Sequence, residues 1–224
     1  MKKKEVESYF DRWATDYKKL PDEKSFHIRQ IAKIINSNFK KSTRNVLDLG
    51  IGNGRLILSL SSKKDYYGID ISEKQIKIAE KKAKIRKISL RCIKHDLEKS
   101  IPFPTNSLDA VISNASIHHI KNKSHLFREV HRILKPNCIF IYFDFYFKDY
   151  KKSIKNKGVA RSSLFLQSIR KEGKFIPKKL IDTHPCEYHI APTKIVEILR
   201  KVGFKSSELI QTPYPKFVGF RSYK

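Results

Sequence analysis

The chain has 224 residues, 40% of them hydrophobic, enough for one domain with a full core. It contains no run of about 18 apolar residues, which excludes a conventional membrane-spanning helix, and the start Met1-Lys2-Lys3-Lys4-Glu5 lacks the apolar stretch of a secretory signal, so a cytoplasmic protein is expected. Lys and Arg number 48 against 22 acids, a net charge of +26 that would attract a polyanion such as tRNA or an anionic membrane surface, although a lysine-heavy composition also follows from an AT-rich genome.

In chain order, Val6 to Leu20 places Tyr9, Phe10, Trp13 and Tyr17 at helical spacing, and Ser25 to Phe39 does the same with Ile28, Ile31, Ile34 and Ile35. Val46-Leu47-Asp48-Leu49 reads as a buried strand running into three alternate glycines, Gly50, Gly52 and Gly54. Glycines directly after a strand let the backbone turn sharply and pass close to a ligand. Asp70 ends the next apolar run, Tyr66 to Asp70, and the intervening residues leave room for a helix and that strand. An acid at such a strand tip is placed to accept hydrogen bonds from ribose hydroxyls. A dinucleotide fingerprint would be Gly-x-Gly-x-x-Gly with its helix facing a pyrophosphate. Here Asp48 sits inside the motif, would repel a phosphate, and suits a ligand carrying a positive charge or an amino group.

Ile76 to Lys84 reads as a helix whose lysines form a solvated face, and Ile88 to Lys94 as a third strand leading into His95-Asp96-Leu97. Ser107 to Ser113 reads as a fourth strand, Leu126 to Leu134 as a helix ended by Lys135-Pro136, and Ile139 to Phe145 as a fifth strand. The stretch from Lys148 to Lys179 is strongly basic. Pro192 to Val202 reads as a helix that Gly203 is placed to end, and Ser206 to Thr212 with Phe217 to Tyr223 as an antiparallel pair. Cysteines 92, 138 and 186 follow no metal-ligand spacing, so no metal site is expected and free thiols are.

The Asp-x-Gly-x-Gly-x-Gly run, Asp70, Asp96 and the Asn114-Ala115-Ser116-Ile117-His118-His119 loop resemble the class I S-adenosylmethionine-dependent methyltransferases over most of the chain. The family usually has two glycines after the proline at Pro136, where this chain has Asn137 and Cys138; asparagine tolerates the left-handed conformation such a turn needs. The resemblance implies a Rossmann-like, doubly wound α/β sheet of seven strands, mostly parallel with one antiparallel C-terminal strand and helices on both faces. It implies a single methyltransferase domain over 1–224, with an N-terminal helical cap at 1–24 and a lid-like basic insertion at 148–190. S-adenosylmethionine would be held by Asp48, Gly50, Gly52, Gly54, Asp70, Ile71, Asp96, Leu97 and Asn114, with Asp96 at the adenine amino group.

Histidine titrates near neutral pH, so His118 or His119, in the loop after strand four, is a candidate catalytic base. Tyr17, Tyr188 and His189 are candidate substrate contacts. The chain lacks the Asn-Pro-Pro-Tyr motif of exocyclic-amine methyltransferases and lacks a cysteine in that loop, which disfavours methylation of DNA amino groups or of pyrimidine C5. Three functions remain: methyl transfer to a small molecule, methyl transfer to a modified wobble uridine of tRNA, and non-catalytic cofactor binding by a partner protein. Sequence fixes neither the acceptor nor the oligomeric state.

Overall fold

The computed structural model describes residues 3–16, 26–145, 187–212 and 217–224. Seven strands form one sheet in the order β3-β2-β1-β4-β5-β7-β6. They are β1 (Asn45–Leu49), β2 (Asp65–Asp70), β3 (Leu90–Lys94), β4 (Leu108–Asn114), β5 (Leu134–Phe145), β6 (Ser206–Ile210) and β7 (Phe217–Tyr223). β1 to β5 pair in parallel, and β7 runs antiparallel to both β5 and β6. This is the expected doubly wound sheet with one reversed strand. The strand order reverses between β1 and β4, so a crevice opens beyond their carboxyl ends, where open α/β sheets bind ligands.

Helices α1 (Lys3–Asp16), α2 (Phe26–Asn38), α3 (Glu73–Ile85), α4 (Lys123–Ile133) and α5 (Pro192–Lys201) flank the sheet. Their ends follow local chemistry. The Ser72 hydroxyl accepts from the Gln75 N–H to cap α3, the Asn122 side chain accepts from the His125 N–H to cap α4, and Pro192 opens α5, where a missing N–H costs nothing. One apolar cluster joins α4 and α5 to one face of the sheet through Phe127, Phe140, Tyr142, Leu199 and Phe204. The other packs α2 and α3 on the opposite face through Ile31, Ile35, Ala79, Ile112 and Phe143. The two clusters bury both faces of the central strands, which is why β1 and β4 read as apolar runs rather than as alternating patterns.

The segment between the glycines and β2 differs from expectation. In place of a helix there is a short 3₁₀ turn, Ile57–Ser59. Leu56, Ile57, Leu58 and Leu60 are all buried, so this stretch has no polar face to offer solvent and wedges into the core as a tight turn. The Asn137 turn survives without glycines, with φ at 59° in the left-handed region. In α1 the fully buried aromatic is Tyr9, whereas Phe10 and Trp13 are only partly buried. Among the described residues no helix is long and apolar enough to cross a membrane. The basic insertion lies outside the described residues except for its last four, 187–190.

Asp109, near the start of β4, ties three segments together. Its Oδ2 accepts from the N–H groups of Arg44 and Asn45, both at 2.9 Å, and its Oδ1 from Lys135 Nζ at 2.7 Å. Partial burial pushes its pKa up, but the Lys135 ammonium and the two amides outweigh this and hold it below the ordinary value of 3.8. A carboxylate depressed in the folded state contributes stability above its unfolded pKa and loses it as pH falls through the folded one. Asp109→Ala is therefore expected to cost about 1–3 kcal/mol in urea unfolding at pH 7. The deficit should narrow once pH falls below 3.8; a deficit constant across pH would remove the carboxylate charge from the explanation.

Candidate functional site

The turn after β1 is held from below. Gly50 and Ile51 donate their N–H groups to the Ile69 carbonyl at 2.8 and 3.0 Å, and the Gly52 N–H donates to Asp70 Oδ2 at 2.8 Å. Asp70 Oδ1 accepts from the Ser72 N–H at 2.9 Å, so this carboxylate fixes both the glycine turn and the start of α3. Gly50 adopts a φ of 72° and lies against Ser116: a Cβ placed on it would come 1.9 Å from the Ser116 hydroxyl oxygen. Gly52, at φ 53°, is the opposite case, because a Cβ there would meet nothing within 4 Å. The turn presents bare backbone to open space, the shape a closely approaching ligand needs.

Two buried acceptors border that turn without partners. Asp48 Oδ1, near the end of β1, and Asn114 Oδ1, at the end of the adjoining β4, receive no hydrogen bond. Burial and the neighbouring Asp70 carboxylate drive the Asp48 pKa well above its ordinary value, against the pull of Arg55. Burial likewise raises Asp70, although three backbone N–H groups oppose it. Buried acceptors are normally satisfied, so this pair is complementary to a ligand bearing N–H donors and positive charge. S-adenosylmethionine, with its α-amino group and sulfonium, fits that donor-poor crevice.

Asp96 lies beyond β3, partly exposed, with Oδ1 accepting from the Glu98 N–H at 3.0 Å. Ile71 is partly exposed beside Asp70. Leu97 is 7% exposed, and its side chain belongs to the α4/α5 core cluster rather than to an open surface. Helix α1 stands over this edge of the sheet. Asp11 Oδ1 accepts from the Ser72 hydroxyl at 2.5 Å, Glu7 pairs with Lys94 at 2.5 Å, and the Phe10 ring meets the His119 ring edge-on at 5.3 Å.

His118 and His119 form a 3₁₀ turn, Ile117–His119, and face different surroundings. His119 turns toward α1, whereas His118 is 5% exposed and directed at the end of β5. There Asp144 Oδ2 accepts from the His118 backbone N–H at 2.7 Å and Oδ1 faces its ring Nδ1 at 2.5 Å. Burial works against the charged imidazolium, but the Asp144 carboxylate, helped by Glu187, prevails and raises the His118 pKa above 6.5. A pocket opens on this side between α4, α5 and the β5–β7 pair, lined by His118, Lys123, Tyr142, Asp144 and Phe220 among others. The Tyr142 hydroxyl is buried there without a hydrogen-bond partner. Lys123, 6% exposed, donates to the carbonyls of Ile120 and Tyr188 at 2.7 and 2.6 Å, and burial lowers its pKa to about 8.

Of the candidate substrate contacts, His189 is brought to this pocket but its ring is engaged by the protein. Nδ1 faces the Phe145 carbonyl at 3.1 Å and Nε2 the Glu187 carboxylate at 2.8 Å, so both nitrogens are spoken for. Tyr188 is 37% exposed and tethered through its backbone, donating its N–H to the His118 carbonyl at 2.6 Å. Tyr17 lies outside the described residues, as does His184. No group of metal-ligating side chains occurs among the described residues. Sequence reading passed over Asp144, Tyr142 and Lys123. Tyr142 and Asp144 interrupt the apolar run of β5 at alternate positions, and a carboxylate inside a buried strand was the available signal.

Gly52→Val is expected to abolish S-adenosylhomocysteine binding in calorimetric titration while costing only about 1–3 kcal/mol of stability from its left-handed backbone. Wild-type affinity in that variant would remove the turn from the site. Asp70→Ala should weaken binding by about 1.5–3 kcal/mol and also lower the melting temperature, because Gly52 and Ser72 lose their acceptor; an unchanged Kd would show that no ligand contacts it.

Comparison with known proteins agrees with this geometry. Residues 47–142 match the family described as a methyltransferase domain. The bifunctional biotin-biosynthesis protein BioHC of Saccharophagus degradans is 28% identical over 136 residues, covering 60% of this chain and 24% of that one. The demethylmenaquinone methyltransferase of Geobacillus kaustophilus is 24% identical over 141 residues, covering 60% of each chain. The matches thus span under two thirds of these relatives' lengths. A solved S-adenosylmethionine-dependent methyltransferase from Aquifex aeolicus shares the fold with a TM-score of 0.65 at 18% identity, covering 94% of this chain and 97% of that one. Residues 47–142 thus resemble a methyltransferase domain, and the sheet with its reversed β7 has the fold of that S-adenosylmethionine-dependent methyltransferase.

Proposed function

We propose that the protein transfers a methyl group from S-adenosylmethionine to a small organic acceptor. The observation that carries this is the crevice at the β1/β4 switch point, where the open side of Gly52 meets two buried acceptors with no donor, Asp48 Oδ1 and Asn114 Oδ1. The bound cofactor supplies an activated methyl group on a positively charged sulfur. Asp48 and Asn114 receive the amino group, Asp70 the ribose hydroxyls through its remaining lone pairs, and Asp96 the adenine amino group, with Ile71 beside the base. Helix α1 caps the cofactor mouth through Asp11, Glu7 and Phe10. The rest of catalysis is positioning of the acceptor and, where it carries a proton, removal of that proton.

A small acceptor is favoured by the relatives, whose names point to quinone and biotin chemistry, and by the narrow, largely apolar pocket beside His118. The test is transfer of labelled methyl to a panel of hydroxy-aromatic and carboxylate compounds, run beside bulk tRNA at two salt concentrations. Labelling of a small acceptor is expected. Salt-sensitive labelling of tRNA alone would replace the small acceptor with RNA and give the +26 charge a function. Cofactor binding without transfer to anything would leave a binding partner protein.

A further inference from the structure

We propose that Asp144 is the positioning residue of a His118–Asp144 pair in which Nε2 of His118 takes the proton of the methyl acceptor. This rests on the methyl-transfer reading above and assigns the base that the sequence left open between two histidines.

The geometry separates the two. Asp144 clamps His118 twice, through the backbone N–H at 2.7 Å and the ring Nδ1 at 2.5 Å, and its Oδ1 also accepts from the Phe145 N–H at 2.8 Å. A carboxylate facing Nδ1 requires Nδ1 to carry the proton, which leaves Nε2 as the basic atom of the neutral ring. No described side chain hydrogen-bonds Nε2. Two other imidazole rings contact the His118 ring. The His189 ring stacks on it at 5.5 Å and 5°, itself held by Glu187 and the Phe145 carbonyl, and the His119 ring lies 4.0 Å away on the other contact. The charged and titratable groups facing His118 are thus Asp144 from β5, Lys123 from α4, Glu187 and His189 from the 187–190 segment, and His119 beside it. Of these Asp144 alone hydrogen-bonds the ring, and its burial keeps their interaction in a weakly screened setting. His189 cannot substitute, because both its nitrogens face protein oxygens.

The step balances as follows. A lone pair on the acceptor's X–H atom forms the new bond to the methyl carbon, and the carbon–sulfur bond breaks with its pair going to sulfur. The X–H proton moves to His118 Nε2, giving an imidazolium that faces the Asp144 carboxylate. The proton stays on the imidazole, whose Nδ1–H donates to the Asp144 carboxylate.

The experiment is NMR titration of ¹⁵N-labelled histidines with S-adenosylhomocysteine present, together with pH–rate profiles, for the wild type and Asp144→Asn. In the wild type the neutral His118 ring should be the Nδ1–H tautomer and titrate above 6.5. In Asp144→Asn its pKa should fall by about 1–3 units, and kcat should drop by about 10²–10⁴-fold with KM little changed. The acidic limb of the profile should move with the NMR value. A wild-type His118 in the Nε2–H tautomer, or a variant with an unchanged His118 titration and profile, would overturn the proposal. The wild-type tautomer decides this even if the variant fails to fold. Absence of methyl transfer by the wild type would instead count against the functional reading, while the titration still reports on Asp144.

Discussion

The molecule depends on how the turn after β1 is fastened to the end of β2. Two backbone N–H groups of the turn share the Ile69 carbonyl and a third reaches Asp70. That fastening requires left-handed backbone at Gly50 and Gly52, brings Ser116 of the neighbouring loop against Gly50, and leaves Gly52 facing open space. Beside it, Asp48 and Asn114 have buried oxygens that no described residue satisfies. Two buried carboxyls pushed upward in pKa near one another are a cost to the empty fold. A ligand that brings N–H donors and positive charge relieves it, so the tension within the turn and the selectivity of the crevice have one origin.

The pocket beside His118 is organised around the end of β5. Alternation along that strand sends Tyr142 and Asp144 to the same face, where Asp144 meets the loop after β4. The 187–190 segment is then latched on by Lys123 and by the His118 carbonyl. The glycine turn and the pocket beside His118 therefore meet at one short loop, 114–119, whose two histidines look in different directions.

Much of the fold was legible. β1 and β4 announce themselves because both faces are buried, β2 because its run ends in Asp70, and β7 occupies Phe217–Tyr223 as expected. The glycine turn and its tie to Asp70 were legible too, since glycines and strand-tip acids are local signals. What failed were features set by tertiary context. Nothing local says that Leu56 to Leu60 must be buried on all sides and so form a 3₁₀ turn rather than a helix. The roles of His118 and His189 depend on Asp144 and Glu187, one of them 26 residues away in sequence, and spacing cannot reveal such a pairing. Leu97 was placed correctly along the chain, but its side chain turns to the core.

The most direct measurement is calorimetric titration with S-adenosylhomocysteine beside its analogue lacking the α-amino group. If Asp48 and Asn114 define the crevice, the first binds and the analogue binds about 1.5–3 kcal/mol more weakly. Equal affinity for the two, or no binding of either, would contradict the assignment of the β1/β4 crevice on which the rest is built.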